Sequence, residues 1–176
     1  MAYPYRHDSE VRVLSEHFGE PRARRLTWWR ENADGYRALE KALKMGPDAV
    51  IEEVKESGLR GRGGAGFPTG VKWGFMPKDT DRPHYFLLNN DESEPGTFKD
   101  RELARWTPHQ VLEGCLIASY AIRAEHCYIY CRGEFFEATQ ILARAIEEAY
   151  EAGYAGQDVL GSGVNLDITL HVGAGA

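Results

Sequence analysis

His126-Cys127-Tyr128-Ile129-Tyr130-Cys131 is the stretch on which the fold turns. It is a short apolar and aromatic run between two long helical patterns, and it reads as the central strand of a sheet. Before it, residues 108–123 carry Val111, Leu112, Cys115, Leu116, Ala118 and Ile122 around most of a helical circumference, the pattern of a well-buried helix capped by Thr107 or the residue before it. Earlier still, residues 84–88 form an apolar run that feeds into Asn89-Asn90-Asp91, a buried strand ending in a polar loop. After it, a helix over residues 134–152 stops at Gly153, and residues 166–172 form a last strand running into Gly173-Ala174-Gly175. Strand, helix, strand, helix, strand in this order implies right-handed crossovers and a parallel sheet. The expected fold class is α/β, a three-layer Rossmann-like parallel sheet with flanking helices. Ligands of such sheets bind at the carboxyl ends of the strands, here residues 89–94, 132–134 and 173–176.

Outside this unit, residues 1–34 are polar and irregular, with Trp28 and Trp29 as the large apolar pair, and read as an extended arm. Residues 36–44 and 47–57 have helical spacing. In the second, Pro47 suits a first turn, Val50, Ile51 and Val54 make an apolar stripe, and Gly58 suits the position just past the end. The organisation expected is an arm and helical segment over residues 1–57 and an α/β domain over residues 58–176. That domain looks incomplete, because Gly-Ala-Gly-Ala ends the chain where the third loop would begin.

The chain has 176 residues, 43% hydrophobic and 27% charged, a balance that suits a packed globular domain and argues against disorder. A net charge of −6 gives no general attraction to phosphate backbones, so no nucleic-acid partner is expected. No run approaches the ~20 apolar residues that span a bilayer, and the first six residues lack the apolar stretch of a signal peptide. Direct membrane insertion is therefore not expected. Three cysteines cannot build a disulfide framework and suit a reducing compartment. Cys115, Cys127 and Cys131, on the buried helix and the central strand, read as small apolar residues. No histidine or cysteine pair stands at ligand spacing near the acidic loop, so no metal ligands are assigned.

Gly61-Arg62-Gly63-Gly64-Ala65-Gly66 fits G-x-G-x-x-G, but its context is not that of a dinucleotide fingerprint. A helix precedes it, and no acidic residue ends a strand about 20 residues on. The chemistry stands without the label: glycines let the backbone approach a ligand and present successive N–H groups to anionic oxygens. Arg62 and Lys72 add positive charge, and Phe67-Pro68-Thr69 stiffens the exit. Taken alone, the same glycines would also suit a flexible surface turn. The stretch from Asn89 to Thr97 offers carboxylates, amides and hydroxyls at a strand end, although a solvated acidic loop would share that composition.

Residues 56–70, Lys72-Trp73 and residues 89–96 together resemble the flavin- and NADH-binding subunit of respiratory complex I. The likeness runs from about Tyr36 to the last residue and includes Tyr128-Ile129-Tyr130. Diaphorase subunits of NAD-linked formate dehydrogenases and NAD-reducing hydrogenases share the signature, and Rnf-type reductases carry a shorter form; the stretch from Arg12 is more like complex I. The resemblance implies that FMN is held by the loop of Gly61, Arg62, Gly63, Gly64, Ala65 and Gly66 and by Lys72, the last near its phosphate or ring edge. Asn89, Asp91, Glu92 and Ser93 would hold it from the strand end. Phe67 and Phe75 would stack the adenine of NADH, and Glu94 would touch NADH beside the flavin. The family often has alanine where this chain has Asn90.

The activity so implied is that of an NADH:quinone oxidoreductase, with hydride passing from NADH directly to FMN without a catalytic side chain, and electrons moving on to iron–sulfur clusters. A 4Fe-4S cluster is expected only in a C-terminal half beyond Ala176. The implied partners are other peripheral-arm subunits, especially the small 2Fe-2S subunit, on the cytoplasmic side of the bacterial inner membrane. The alternatives are a diaphorase subunit, or a non-catalytic fragment serving as a binding module. Little or no turnover is expected of the 176-residue chain alone.

Overall fold

The structure, a computed structural model, describes residues 7–174. The expectations for the first six residues, and for Gly175 and Ala176, lie outside the described residues. Three strands, β1 (Tyr85–Asn90), β2 (His126–Cys131) and β3 (Asp167–Val172), form one sheet in the order β1-β2-β3. Both pairings are parallel, as the alternation of elements implies. Tyr85 lies opposite His126 and His126 opposite Asp167, so the three carboxyl ends finish level. β1 runs on through Asn89 and Asn90, which are therefore sheet residues and not the start of a loop.

The strands are connected through α6 (Pro108–Ala121) and α7 (Phe136–Glu151), which pack against the sheet. Alternation along β2 sends Cys127, Ile129 and Cys131 into the core and His126, Tyr128 and Tyr130 out. Leu87 of β1, on the open face, is 69% exposed. The outer side of the α6–α7 layer is covered by α1 (Leu26–Asn32), α2 (Arg37–Met45), α3 (Pro47–Glu56) and α5 (Lys99–Trp106). The layers thus run sheet, helix pair, outer helices. Among the described residues one face of the sheet packs on α6 and α7 and the other is open, with Leu87, Tyr85, Tyr128 and Tyr130 exposed on it. α6 is packed on both sides, which accounts for apolar residues around most of its circumference. The three cysteines are free and buried.

Residues 21–32 do not form an extended arm. Pro21–Arg24 make a 3-10 turn that leads into α1, and Ala23, Leu26 and Trp29, spaced by three, are buried in the main core. Glu148 of α7 fixes this entry: its carboxylate accepts from the Leu26 N–H at 2.7 Å and pairs with the Arg25 Nε at 2.7 Å. The same carboxylate lies 3.2 Å from the Nε2 of fully buried His109, whose Nδ1 meets the Tyr36 hydroxyl at 2.9 Å. Burial holds the His109 imidazole below its ordinary pKa, against the opposing hydrogen bond and charge of Glu148. Glu113 of α6 caps α2 from outside, accepting the N–H groups of Tyr36 and Leu39 at 3.0 and 3.1 Å. Its own burial raises its pKa. Among the described residues no helix is long and apolar enough to cross a membrane.

Candidate functional site

A cavity of about 590 Å³ opens at the carboxyl end of β1. Its wall is made by Arg62 and Gly63 on one side and by Asn89, Asp91, Glu92, Ser93 and Glu94 on the other, with Thr97, Lys99 and Asp100 completing it. The glycine loop and the acidic strand end, far apart in sequence, therefore face one space.

The loop is closed by backbone pairing at its base. Gly61 N donates to Phe67 O at 3.0 Å, Thr69 N donates to Leu59 O at 2.8 Å, and the Arg60 guanidinium reaches Gly66 O at 3.0 Å. Gly66, at φ +63°, occupies the left-handed region that favours glycine. Gly63 does not, and a methyl group built on it would meet no atom within 4 Å. Neither the backbone angle nor the protein's packing accounts for a glycine at position 63.

Next comes α4 (Thr69–Trp73), seated on α3 through Gly70. Lys72 lies on this short helix and does not line the cavity; nor do Gly61, Gly64, Ala65 and Gly66 of the loop. Phe67 and Phe75 flank α4 with ring centroids 6.0 Å apart and planes inclined at 53°. Both are exposed and stand outside the cavity wall, an aromatic pair open to solvent.

At the strand end, Asn89 Oδ1 accepts from Asp91 N at 3.0 Å, and the Ser93 hydroxyl donates to Asp91 Oδ1 at 3.0 Å. Glu92 is buried, and its carboxylate accepts from Asp100 N at 3.1 and 3.2 Å and from Arg101 N at 3.3 Å. It thereby satisfies the first turn of α5, whose own cap residue Phe98 offers no side-chain bond. Lys99 pairs with Asp100 at 2.6 Å and stands 3.9 Å from Glu92. Arg62 and Lys99 face four carboxylates, one of which pairs with Lys99, so the lining is acidic on balance and Arg62 is the cation on its glycine-loop side.

The end of β2 backs this loop. Arg132 N donates to Asn90 O at 3.1 Å, its Nη1 donates to Glu92 O at 2.7 Å, and its Nε and Nη2 donate to Glu134 at 2.9 and 3.1 Å. That pairing holds the Glu134 carboxyl below the usual carboxylate range.

Thr97 falls in the strand-end stretch that the sequence singles out, whereas Lys99, Asp100 and the contacts of Arg132 do not. Asp100 and Glu102 in a first turn are a helix-start signature that would have placed Lys99 and Asp100 at a helix mouth beside the strand end. Nothing in the sequence marks the reach of Arg132 to a carbonyl forty residues away.

The family model of the Nuo51 FMN-binding domain matches residues 54–176. An NADH-quinone oxidoreductase subunit of Streptomyces coelicolor is 52% identical over 164 residues, covering 93% of this chain and 36% of that one. The corresponding subunit of Rickettsia bellii is 58% identical over 134 residues, 76% of this chain and 32% of its own length. That of Mycobacterium tuberculosis is 51% identical over 170 residues, 93% of this chain and 38% of its own. The chain therefore spans about a third of the length of these curated relatives. Among solved structures, an NAD+-reducing [NiFe]-hydrogenase in the H2-reduced state superposes with a TM-score of 0.72 at 35% identity, over 86% of this chain and 25% of that one.

Proposed function

We propose a function from one premise: the chain belongs to the Nuo51 FMN-binding domain family. In this reading it is the FMN- and NADH-binding part of an NADH:quinone oxidoreductase subunit, and the cavity at the end of β1 takes the flavin. The observation that carries it is Gly63. A glycine that neither φ nor packing requires, on the wall of a cavity within the roughly 300–1,000 Å³ of small-molecule sites, is accounted for by a ligand approaching the backbone. The donor set agrees, with Arg62 and the Gly63 backbone on one wall for a phosphate and polar strand-end groups on the other for hydroxyls and ring edge.

FMN, when bound, would supply a two-electron acceptor for the hydride of NADH. The chain's own residues bind and orient. The 61–66 loop and Arg62 offset phosphate charge, and Lys72, just past the loop, adds a cation from α4. Asn89, with its oxygen committed to Asp91 N, keeps its amide N–H groups to donate, and Asp91 and Ser93 present acceptors set by their mutual hydrogen bond. Phe67 and Phe75 offer the faces on which an adenine would stack, and Glu94, on the cavity wall, would be an NADH contact. No side chain is asked to act as nucleophile or base, so catalysis here is orientation and charge placement.

The hydrogenase likeness favours a second reading, a diaphorase subunit, on the same chemistry. Identities of 51–58% to the quinone-reductase relatives, against 35% to the hydrogenase chain, support the first. Association with a small 2Fe-2S subunit and other peripheral-arm subunits, on the cytoplasmic face of the bacterial inner membrane, belongs to the same proposal. The test is titration of the 176-residue chain with FMN, following quenching of flavin fluorescence. Saturable quenching with a Kd of about 1–100 μM or tighter is expected; no saturable quenching would overturn the reading and leave a non-binding module.

A further inference from the structure

We propose that Arg132 is a positioning residue, holding the Asp91–Ser93–Glu94 wall of the cavity in place from behind; the inference rests on the reading that this cavity takes FMN. Arg132 does not line the cavity. It stands at the end of β2 and grips the neighbouring loop through the main chain. Its N–H continues the sheet ladder to Asn90 O, and its Nη1 donates to Glu92 O at 2.7 Å.

Glu92 is thus held at two points, its carbonyl by Arg132 and its carboxylate by the first turn of α5. Asp91 and Ser93, on either side of it, also line the cavity; the Ser93 hydroxyl bonds Asp91, and the Asp91 main-chain N–H donates to Asn89 Oδ1, so these contacts are local to the loop. Among the described residues, the loop's other hydrogen bonds to the rest of the domain are those at Asn90 and through the Glu92 carboxylate.

The guanidinium is suited to this work in a way an ammonium is not. Its planar fork takes both oxygens of Glu134 while Nη1 remains directed at the Glu92 carbonyl. The Glu134 side chain is 63% exposed, so that pair adds little to stability. Its effect is to fix the direction in which Arg132 points.

Two readouts on the full 176-residue chain test this: amide hydrogen exchange of residues 91–97 without ligand, and the FMN Kd by flavin fluorescence. Arg132→Ala is expected to speed exchange in residues 91–97 by ~10-fold or more, leave α6 and α7 unchanged, and weaken FMN binding by ~10-fold or more. Arg132→Lys restores part of both, because one donor and the charge remain. Glu134→Gln loosens the loop less than Arg132→Ala does. Should Arg132→Ala fail to fold, the Lys and Gln variants decide the matter by the same two readouts, and parent-like values in both would overturn the proposal. Faster exchange with an unchanged Kd would overturn it, since the loop's pose would then not matter to the flavin. A weakened Kd with unchanged exchange would also overturn it, making Arg132 a direct ligand. A parent chain with no FMN binding would instead bring down the function proposed for the cavity, and this inference with it.

Discussion

Gly63→Ala separates a ligand cradle from a structural glycine, because the two roles move stability and binding in different directions. The added methyl meets no protein atom within 4 Å, and the residue's φ lies outside the left-handed region. Folding should therefore tolerate the change. Alanine at a compatible site stabilises by about 0.4–1 kcal/mol through the lost freedom of the unfolded chain. For a chain of this length that is a rise in Tm of about 1–4 °C. On the proposed reading binding should suffer, since the methyl would occupy space on the cavity wall that a bound flavin would need. Loss of one or two hydrogen bonds at ~1 kcal/mol each, together with the steric displacement, predicts a Kd weaker by about 10- to 100-fold. Gly66→Ala is the control. Its methyl also meets open space, but at φ +63° the backbone itself resists, at a cost of about 1–2 kcal/mol in stability. Thermal unfolding by far-ultraviolet circular dichroism and an FMN titration read both quantities. A Gly63→Ala chain with the parent's FMN affinity would refute the reasoning, and so would one that loses more than about 1 kcal/mol of stability.

In a longer form that includes the expected C-terminal half, Lys72→Ala is expected to weaken FMN binding by about tenfold or more, and by more than Lys78→Ala, which gives up an exposed pair with Asp48; equal affinities in a fluorescence titration would remove Lys72 from the site. Acid should destabilise the fold through His109. Its folded pKa is depressed by burial, so the unfolded chain takes up a proton that the folded chain refuses, and stability is complete above about pH 6.5 and declines below it. Urea denaturation from about pH 5.5 to about pH 7.5 is expected to show a steeper loss in the parent than in His109→Gln, and parallel slopes would reject His109 as the source. Glu113, with its raised pKa, contributes with the opposite sign and is common to both chains. Gly70→Ala places a methyl 2.5 Å from Lys55 N, a backbone atom that cannot rotate aside, and is expected to cost about 1–3 kcal/mol in a urea melt; a neutral result would mean that α4 shifts freely on α3.

The strands and the helices between them were legible because their signals are local. Apolar periodicity and the glycine after α7 lie within the elements they define, and each strand falls within two residues of its expected bounds. What was not legible depends on distant partners. Arginines give the N-terminal segment a polar look, yet Arg25 meets Glu148 and Arg24 lies over the Trp106 ring at 4.8 Å, so Ala23, Leu26 and Trp29 can be buried. α5 was hidden inside an acidic stretch because its cap, Glu92, comes from outside the helix. At the site, sequence reasoning named the two loops that meet in the cavity. It took Glu92 for a ligand alone, and did not foresee that its carboxylate also holds a helix.

The matched family segment begins at residue 54, within α3, while the carboxylates of Glu113 and Glu148 receive their hydrogen bonds from Arg25, Leu26, Tyr36 and Leu39. Trimming the chain to that segment would remove the Tyr36 and Leu39 donors of Glu113, leave Glu148 with only His109 and Arg144 beside it, and open the apolar seat of Trp29 and Leu39 to water. A minimal expression fragment drawn along the family boundary would be prone to clumping and proteolysis. The segment matched by the family model and the stretch that packs into one core are different, and the second reaches upstream to the turn of Pro21–Arg24.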